Sequence, residues 1–465
     1  MAYDLLIKGG TLVTAAESFV ADIAVERGRV AAVGTELSGA ADIVDARGLV
    51  VVPGGVDAHT HFDMPFAGGR TADDFASGSL GAVFGGTTTV IDFAAQEKGQ
   101  SLAGALDTWR EKAEGKSVVD YAFHIGIVDL PETRVKEMDA LVAEGVSSFK
   151  LYMAYPGRLM SDDATILRAL LRARGNGGLV CVHAENAGVI EVLVGRALSE
   201  GKTGPKFHAF TRPASGEAEA TRRAIALAET AGAPVYIVHL SAEEALEEVH
   251  RARERGLPVF AETCPQYLYL SSDEYERPGF EGAKYVMSPP LRPRGNEKAL
   301  WRGLVNGWLQ VVATDHCSFR MKSARGLPGK DLGRDDFSKI PGGAPGVETR
   351  MPLLWDAVHK GRLTPSRFVE VAATAPAKLF GLYPRKGHLS PGADADIVLI
   401  DPKKRHTISA KTHHVNVDYN PYEGMTLHGA IRDVFVRGTH MVSGDRFVGK
   451  PGHGKFLRRT PRQFD

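Results

Sequence analysis

The stretch GGVDAHTHFDMP, residues 54–65, sets His59 and His61 two positions apart just after the apolar run LVVVPG. Side chains in a strand repeat every second residue, so a strand ending here turns both imidazoles to one side, a geometry that can seat a metal. The motif is unspecific alone, because exposed or core-satisfied histidines are commoner than ligands. Its weight comes from further metal-ligand types at the ends of other apolar runs: Lys150 in SSFKLYM, His183 in GLVCVHAE, His239 in PVYIVHLS and Asp315 in VVATDHC. Only four of the sixteen histidines belong to this set. Of the rest, His124 reads as a core residue inside its strand and His316 as a group standing behind Asp315. His208, His250, His413 and His414 read as surface or structural residues of helices, loops and terminal segments.

Four imidazoles and one carboxylate can bind two divalent cations if one more ligand bridges them. As an ammonium ion Lys150 is a poor ligand and reads equally well as a buried or snorkelling amine. Held among cations at a strand end, its pKa should fall by like-charge repulsion and desolvation. The neutral amine can react with carbon dioxide to a carbamate, whose two anionic oxygens could bridge two metals.

These residues need a scaffold that gathers strand ends. From residue 51 to about 380, eight short, β-branched, near-continuously apolar runs alternate with amphipathic helical stretches such as ATILRALLRARGN and GEAEATRRAIALAETAG. That texture indicates a buried parallel sheet, and eight units indicate a closed (β/α)8 TIM barrel whose active face is at the C-terminal strand ends. A doubly wound open sheet is the alternative, but no GxGxxG opens a helix after a first strand. Residues 3–52 instead read as short strands and turns, too few to close a core. ADIVLIDP at 394–401 and AIRDVFVRGTHMVSGDRFVG at 430–449 share that texture. The expectation is α/β: a catalytic barrel over 53–384, a small β-sandwich domain from 1–52 plus 385–450, and a C-terminal tail over 451–465.

Composition narrows the class. With 43% hydrophobic and 24% charged residues in 465, the chain is an ordinary globular one. Lys+Arg and Asp+Glu are both 56, so no charge field points to nucleic acid or an anionic membrane, and a neutral small substrate fits better. No run approaches 18 uninterrupted apolar residues, and MAYDLLIKGGTLV lacks the pattern of a signal peptide. Three dispersed cysteines, Cys181, Cys264 and Cys317, argue against a disulfide framework and read as buried thiols of a cytoplasmic protein.

GGVDAHTH, SSFKLYMAY, CVHAEN, IVHLS, MSPPLR, ATDHCSF and DFSKIPGGAPGVETRM together resemble the hydantoinase and dihydropyrimidinase group of cyclic amidohydrolases, as does PAKLFGLYPRKGHLSPGADADIVLIDP. The resemblance runs over essentially the whole chain. It implies a barrel holding two zinc ions bridged by a carboxylated lysine (N6-carboxylysine) and a hydroxide. His59, His61, Lys150 and Asp315 would surround one ion, and Lys150, His183 and His239 the other. It implies that hydroxide attacks the carbonyl carbon of a cyclic amide, with the Tyr155 hydroxyl of MAYPG stabilising the oxyanion; a plain packing tyrosine is the alternative. Asp315 would act as base and then acid, and the product would be an N-carbamoyl amino acid.

Further contacts follow from the same resemblance. Backbone groups at Ser288 and Gly342 would hold the ureide edge of the ring. Gly342 departs from the Asn of the relatives' KIPNG segment, and the added backbone freedom puts the rigidity of that contact in doubt. Met64, Phe66 and Tyr152 match positions that line the pocket for the exocyclic substituent, although such residues often simply pack. Dihydroorotase-like enzymes carry an Arg two residues after HxH; here that residue is Asp63, which would repel a substrate carboxylate. An allantoinase remains a second reading, and a non-catalytic relative that has lost its metal ligands a third. Relatives are commonly homotetramers whose tails reach neighbouring subunits, so a homotetramer or homodimer is expected; VGKPGHGKFLRRTPRQF could act in that way or be a flexible, solvated tail. Segment 317–350, with RGLPGKDLGRDD at its centre, reads as a mobile surface excursion near the barrel mouth.

Overall fold

A computed structural model of the chain describes residues 3–462. Eight parallel strands, Gly55–Thr60, Thr87–Ala95, Asp120–Gly126, Ser148–Tyr152, Leu179–His183, Val235–Ile237, Val259–Thr263 and Val311–Val312, form one sheet in chain order. All eight fall on the apolar runs read from the sequence. The last strand is only two residues long, so ladder bonds alone do little to close the barrel. Bonds outside the ladder complete the seam: the Asp57 carboxylate accepts from the Thr314 amide (3.1 Å) and hydroxyl (2.7 Å), and the His61 amide donates to the His316 carbonyl (2.8 Å). The fully buried Arg350 spans the same seam, donating to the carbonyls of Val56, Val312 and Ala372.

The helices wrap the barrel as their periodicity predicts. ATILRALLRARGN lies within helix Asp163–Asn176, which is capped by the Asp162 carboxylate on the Thr165 amide and ends at Gly177 with φ +75°. Ile166, Ala169, Leu170 and Ala173 form its buried stripe.

The first apolar run divides between two sheets. Val50–Pro53 pairs antiparallel with Ile397–Thr407 in a second, mostly antiparallel nine-stranded sheet, whereas Gly55–Thr60 opens the barrel. Gly54 makes the crossing possible, because a Cβ there would lie 2.0 Å from the Thr88 hydroxyl oxygen. Strand Tyr3–Val13 pairs with Ser18–Glu26 on one side and with Ala40–Asp45 and then Val50–Pro53 on the other. The core of this sheet draws Leu5, Ile7 and Ile23 from one chain end and Ile397, Leu399 and Phe435 from the other. Neither end could bury these faces alone.

The C-terminal tail does not extend away from its own chain over the described residues. Its backbone bonds to Ser117, Tyr121, Gly145, Gly381 and Gly177 of the barrel, and Leu457 is fully buried. No helix among the described residues is long and apolar enough to cross a membrane.

Candidate active site

The C-terminal strand ends open into a cavity of ≈ 640 Å³ lined by all twelve candidate residues: His59, His61, Lys150, His183, His239 and Asp315 on its floor, and Met64, Phe66, Tyr152, Tyr155, Ser288 and Gly342 around them. Asp63, by contrast, is not among the lining residues; its carboxylate lies 3.5 Å from Arg70.

On the floor, Nε2 of His59 and Nε2 of His61 are 3.2 Å apart, and each is 3.1 Å from Oδ1 of Asp315. Beside them Nδ1 of His183 is 2.9 Å from Nε2 of His239. The His59 and His239 ring centroids are 5.4 Å apart, which brings the two groups together. Burial pushes His61 down to about 4 and also lowers His183 and His239. At these separations each pair of ring nitrogens can share either one proton or a cation. Tetrahedral coordination at about 2.0 Å implies ligand–ligand separations of about 3.3 Å, close to those seen. The donor set therefore fits divalent metal ions.

Lys150 is buried to 1% exposure, with Nζ 4.9 Å over the Phe93 ring and 5.2 Å over that of Tyr152. Desolvation lowers its pKa to about 8, as expected in direction. The expected contribution of like charges is corrected: its leading charged neighbours are the carboxylates of Asp315 and Glu262, which oppose the shift. Burial alone makes the neutral amine accessible.

Tyr155 follows the fourth strand and lies with its ring 5.1 Å from that of His183. Burial pushes its hydroxyl up to about 12, so it stays a proton-bearing donor near neutrality. Tyr155, His239 and Asp315 all adopt left-handed backbone, with φ of +67°, +37° and +51°. Such conformations cost about 1–3 kcal/mol each and persist where the surroundings impose them. With Ala67, at φ +46°, four of them line one cavity.

The carboxylates behind the floor were not singled out in the sequence. Glu262, on the seventh strand, hydrogen-bonds Nδ1 of His59 and accepts from the Tyr236 hydroxyl (2.8 Å) and the His239 amide (3.1 Å). Glu185 receives Nε2 of His183 (2.8 Å) and Arg212 (2.7 Å). An acidic residue inside the apolar run PVFAETC, and another two positions after His183, were the available signals. Buried carboxylates need partners.

Of the surface or structural roles expected for His208, the structure shows the structural one: it is buried at the cavity, with Nε2 2.8 Å from the Met287 carbonyl and 3.4 Å from the Ser288 hydroxyl. One further sequence expectation is corrected. Segment 317–350 is no loose excursion: Lys330, Phe337 and Ile340 are buried, and Phe337 and Ile340 line the cavity wall. Polar residues at its centre had suggested solvent, and Arg325, Arg334 and Asp335 are exposed, but Lys330 donates to main-chain carbonyls and Asp331 accepts from Ser323. His124 is the satisfied core residue expected, bonded to Ser148 Oγ (2.6 Å) and the Ala58 carbonyl (2.9 Å). His316, which directly follows Asp315, is held by Asp73 (3.1 Å), and its carbonyl accepts from the His61 amide. All three cysteines are free and buried.

The profile of the Amidohydrolase family matches residues 50–441. The chain is 52% identical to a D-hydantoinase of Streptomyces coelicolor over 100% of both chains, and 48% identical to a D-hydantoinase of Geobacillus stearothermophilus over 98% of this chain and 96% of that one. The crystal structure of a dihydropyrimidinase from Brevibacillus agri superposes with a TM-score of 0.96 at 47% identity, covering 99% of each chain.

Proposed function

This chain belongs to the amidohydrolase family, and on that premise we propose that it opens the cyclic amide bond of 5-substituted hydantoins and dihydropyrimidines such as dihydrouracil, yielding N-carbamoyl amino acids. The observation that carries the reading is the convergence of His59, His61 and Asp315 within 3.1–3.2 Å beside the His183–His239 pair, around a buried lysine and inside one cavity. The names of the relatives, D-hydantoinase at 52% and 48% identity, favour the D enantiomer.

His59, His61, Asp315 and carboxylated Lys150 would hold one divalent ion, and carboxylated Lys150, His183 and His239 the other; zinc suits these nitrogen and oxygen donors. Bound there, such ions supply hydroxide at neutral pH by lowering the pKa of water. Asp315, whose contacts with His59 and His61 outweigh burial and hold it ionised, takes a proton from the nucleophile and delivers it to the leaving ring nitrogen. The Tyr155 hydroxyl donates to the carbonyl oxygen as negative charge develops there. Backbone groups at Ser288 and Gly342 hold the ureide edge. Met64, Phe66 and Tyr152, joined by Phe337 and Ile340, offer an apolar wall to the substituent at ring position 5. The enzyme works as a homotetramer or homodimer, which sedimentation would resolve.

The test is ring opening by zinc-loaded protein on dihydrouracil, D- and L-5-substituted hydantoins and allantoin in parallel, followed by loss of amide absorbance. Turnover of the first classes with D over L is expected. Turnover of allantoin alone, or of none with metal bound, overturns the substrate assignment.

A further inference from the structure

Lys330 lies behind the cavity wall and is fully buried. Its Nζ donates to three main-chain carbonyls, those of Val286, Pro341 and Gly343, each at 2.7 Å. An ammonium ion has three donors and no acceptor, so this side chain is satisfied entirely by backbone. Its other close neighbours are the Cys317 thiol and the Phe319 ring, 6.0 Å from Nζ, and burial pushes its pKa down to about 7. A buried cation without a carboxylate partner is a poor means of stabilising a fold. What it does well is fix the positions of its acceptors.

Those acceptors belong to two segments that are remote in sequence, 286–288 and 341–343. They carry Ser288 and Gly342, both of which line the cavity. The Val286 carbonyl also accepts from the Gly343 amide (3.0 Å), so one oxygen is shared between the lysine and the facing segment. His208 holds the next carbonyl, that of Met287. Four main-chain carbonyls of these two segments are thus held by side chains, three by Lys330 and one by His208. Gly342 is neither crowded nor in a left-handed conformation, so nothing in its own side chain or backbone restricts it.

We propose that Lys330 is a positioning residue for substrate binding: its ammonium group straps segments 286–288 and 341–343 together and sets the spacing of the backbone groups at Ser288 and Gly342. It supplies from behind the rigidity that glycine at 342 does not. The kinetic consequence rests on the cyclic-ureide reading of the cavity; the strap itself does not.

The experiment compares Lys330→Met, which keeps length and loses every donor, and Lys330→Gln, which keeps two, with the exposed-site control Lys322→Met in the metal-loaded full-length protein. Loss of the strap raises KM for the cyclic ureide by more than about tenfold while kcat falls by less than about threefold, with Gln intermediate and the control unchanged. Bound metal per chain stays at the wild-type level. Hydrogen exchange at the Gly343 amide, which donates across the strap, accelerates in the Met variant ahead of the barrel strands. A KM within about twofold of wild type, or unaltered exchange at Gly343, overturns the proposal. If the Met variant is insoluble, the Gln variant is read by the same two criteria. Absence of wild-type turnover on every cyclic ureide would refute the substrate reading, and the exchange result would still decide the strap.

Discussion

Glu262 hydrogen-bonds the Nδ1 of His59 from inside the barrel and so points the other ring nitrogen at His61 and Asp315. Burial disfavours protonated His59, but the Glu262 and Asp315 carboxylates outweigh it and push the imidazole up to about 9. The same carboxylate receives the His239 amide, which couples the two halves of the floor. A partner of this kind fixes the ligand ring and raises its basicity. Glu262→Gln should weaken metal binding about 10- to 100-fold, read by competition with a chelator. Unchanged affinity would remove Glu262 from the metal centre.

Lys150→Ala should leave a protein that folds but retains little metal and little activity, measured as metal per chain after dialysis. Loading wild-type protein with 13C-bicarbonate should give a carbamate carbon signal that the variant lacks. Full metal content with full activity in the variant would refute the bridging carbamate.

Tyr155→Phe removes one hydroxyl and preserves the ring that packs 5.1 Å from His183. If that hydroxyl serves the transition state, kcat falls about 10²- to 10³-fold with a much smaller change in KM. A rise in KM alone would assign it to ground-state binding.

Adjacent glycines should respond oppositely. At Gly343, φ is +147° and a Cβ would lie 2.3 Å from the Cys317 carbonyl oxygen, so Gly343→Ala should cost about 1–3 kcal/mol in denaturant unfolding. A Cβ at Gly342 meets only ordinary contacts, the nearest 3.7 Å away at the Ser288 hydroxyl. Gly342→Asn should therefore fold with stability within about 0.5 kcal/mol of wild type and bind substrate no more weakly, because it narrows backbone freedom. A raised KM in Gly342→Asn would show that the freedom is used.

Acid should expose the role of Asp73, whose carboxylate receives His316 (3.1 Å), the Ser77 hydroxyl (2.7 Å) and the Asn416 amide (2.7 Å). Burial opposes its ionisation, yet these donors hold it below its ordinary value of 3.8. A depressed carboxylate contributes stability that is complete above its unfolded value and is lost as pH falls through the folded one. In metal-free protein, urea midpoints measured from about pH 6 to about pH 3 should fall more steeply for wild type than for Asp73→Asn. Parallel curves would contradict the assignment.

Much of this architecture was legible because it is written in local pattern. The eight barrel strands stand out as β-branched apolar runs, and their ends carry the residues that reach the cavity floor. Pro53, Gly54 and Gly55 interrupt the first run at the expected edge of the barrel, and the approach of Thr88 shows why a glycine stands where the chain changes sheets. The burial of His208, left open between surface and structural roles, and of Lys330, in a segment read as a surface excursion, was not legible. Polarity predicts exposure until a specific partner is present, and their partners are carbonyls about 80 and between 11 and 44 residues away.

By itself the sequence determined which side chains could do the chemistry, the alternation of strand and helix that gathers them, and the family they belong to, because period and residue type are properties of short stretches. Only the tertiary structure decided the distances among His59, His61 and Asp315, the burial that lowers Lys150, and the carboxylates and ammonium that hold the floor and wall from behind. Those quantities arise between residues on different strands and segments, up to about 250 positions apart for His61 and Asp315, where desolvation and geometry exist only once the chain has closed on itself.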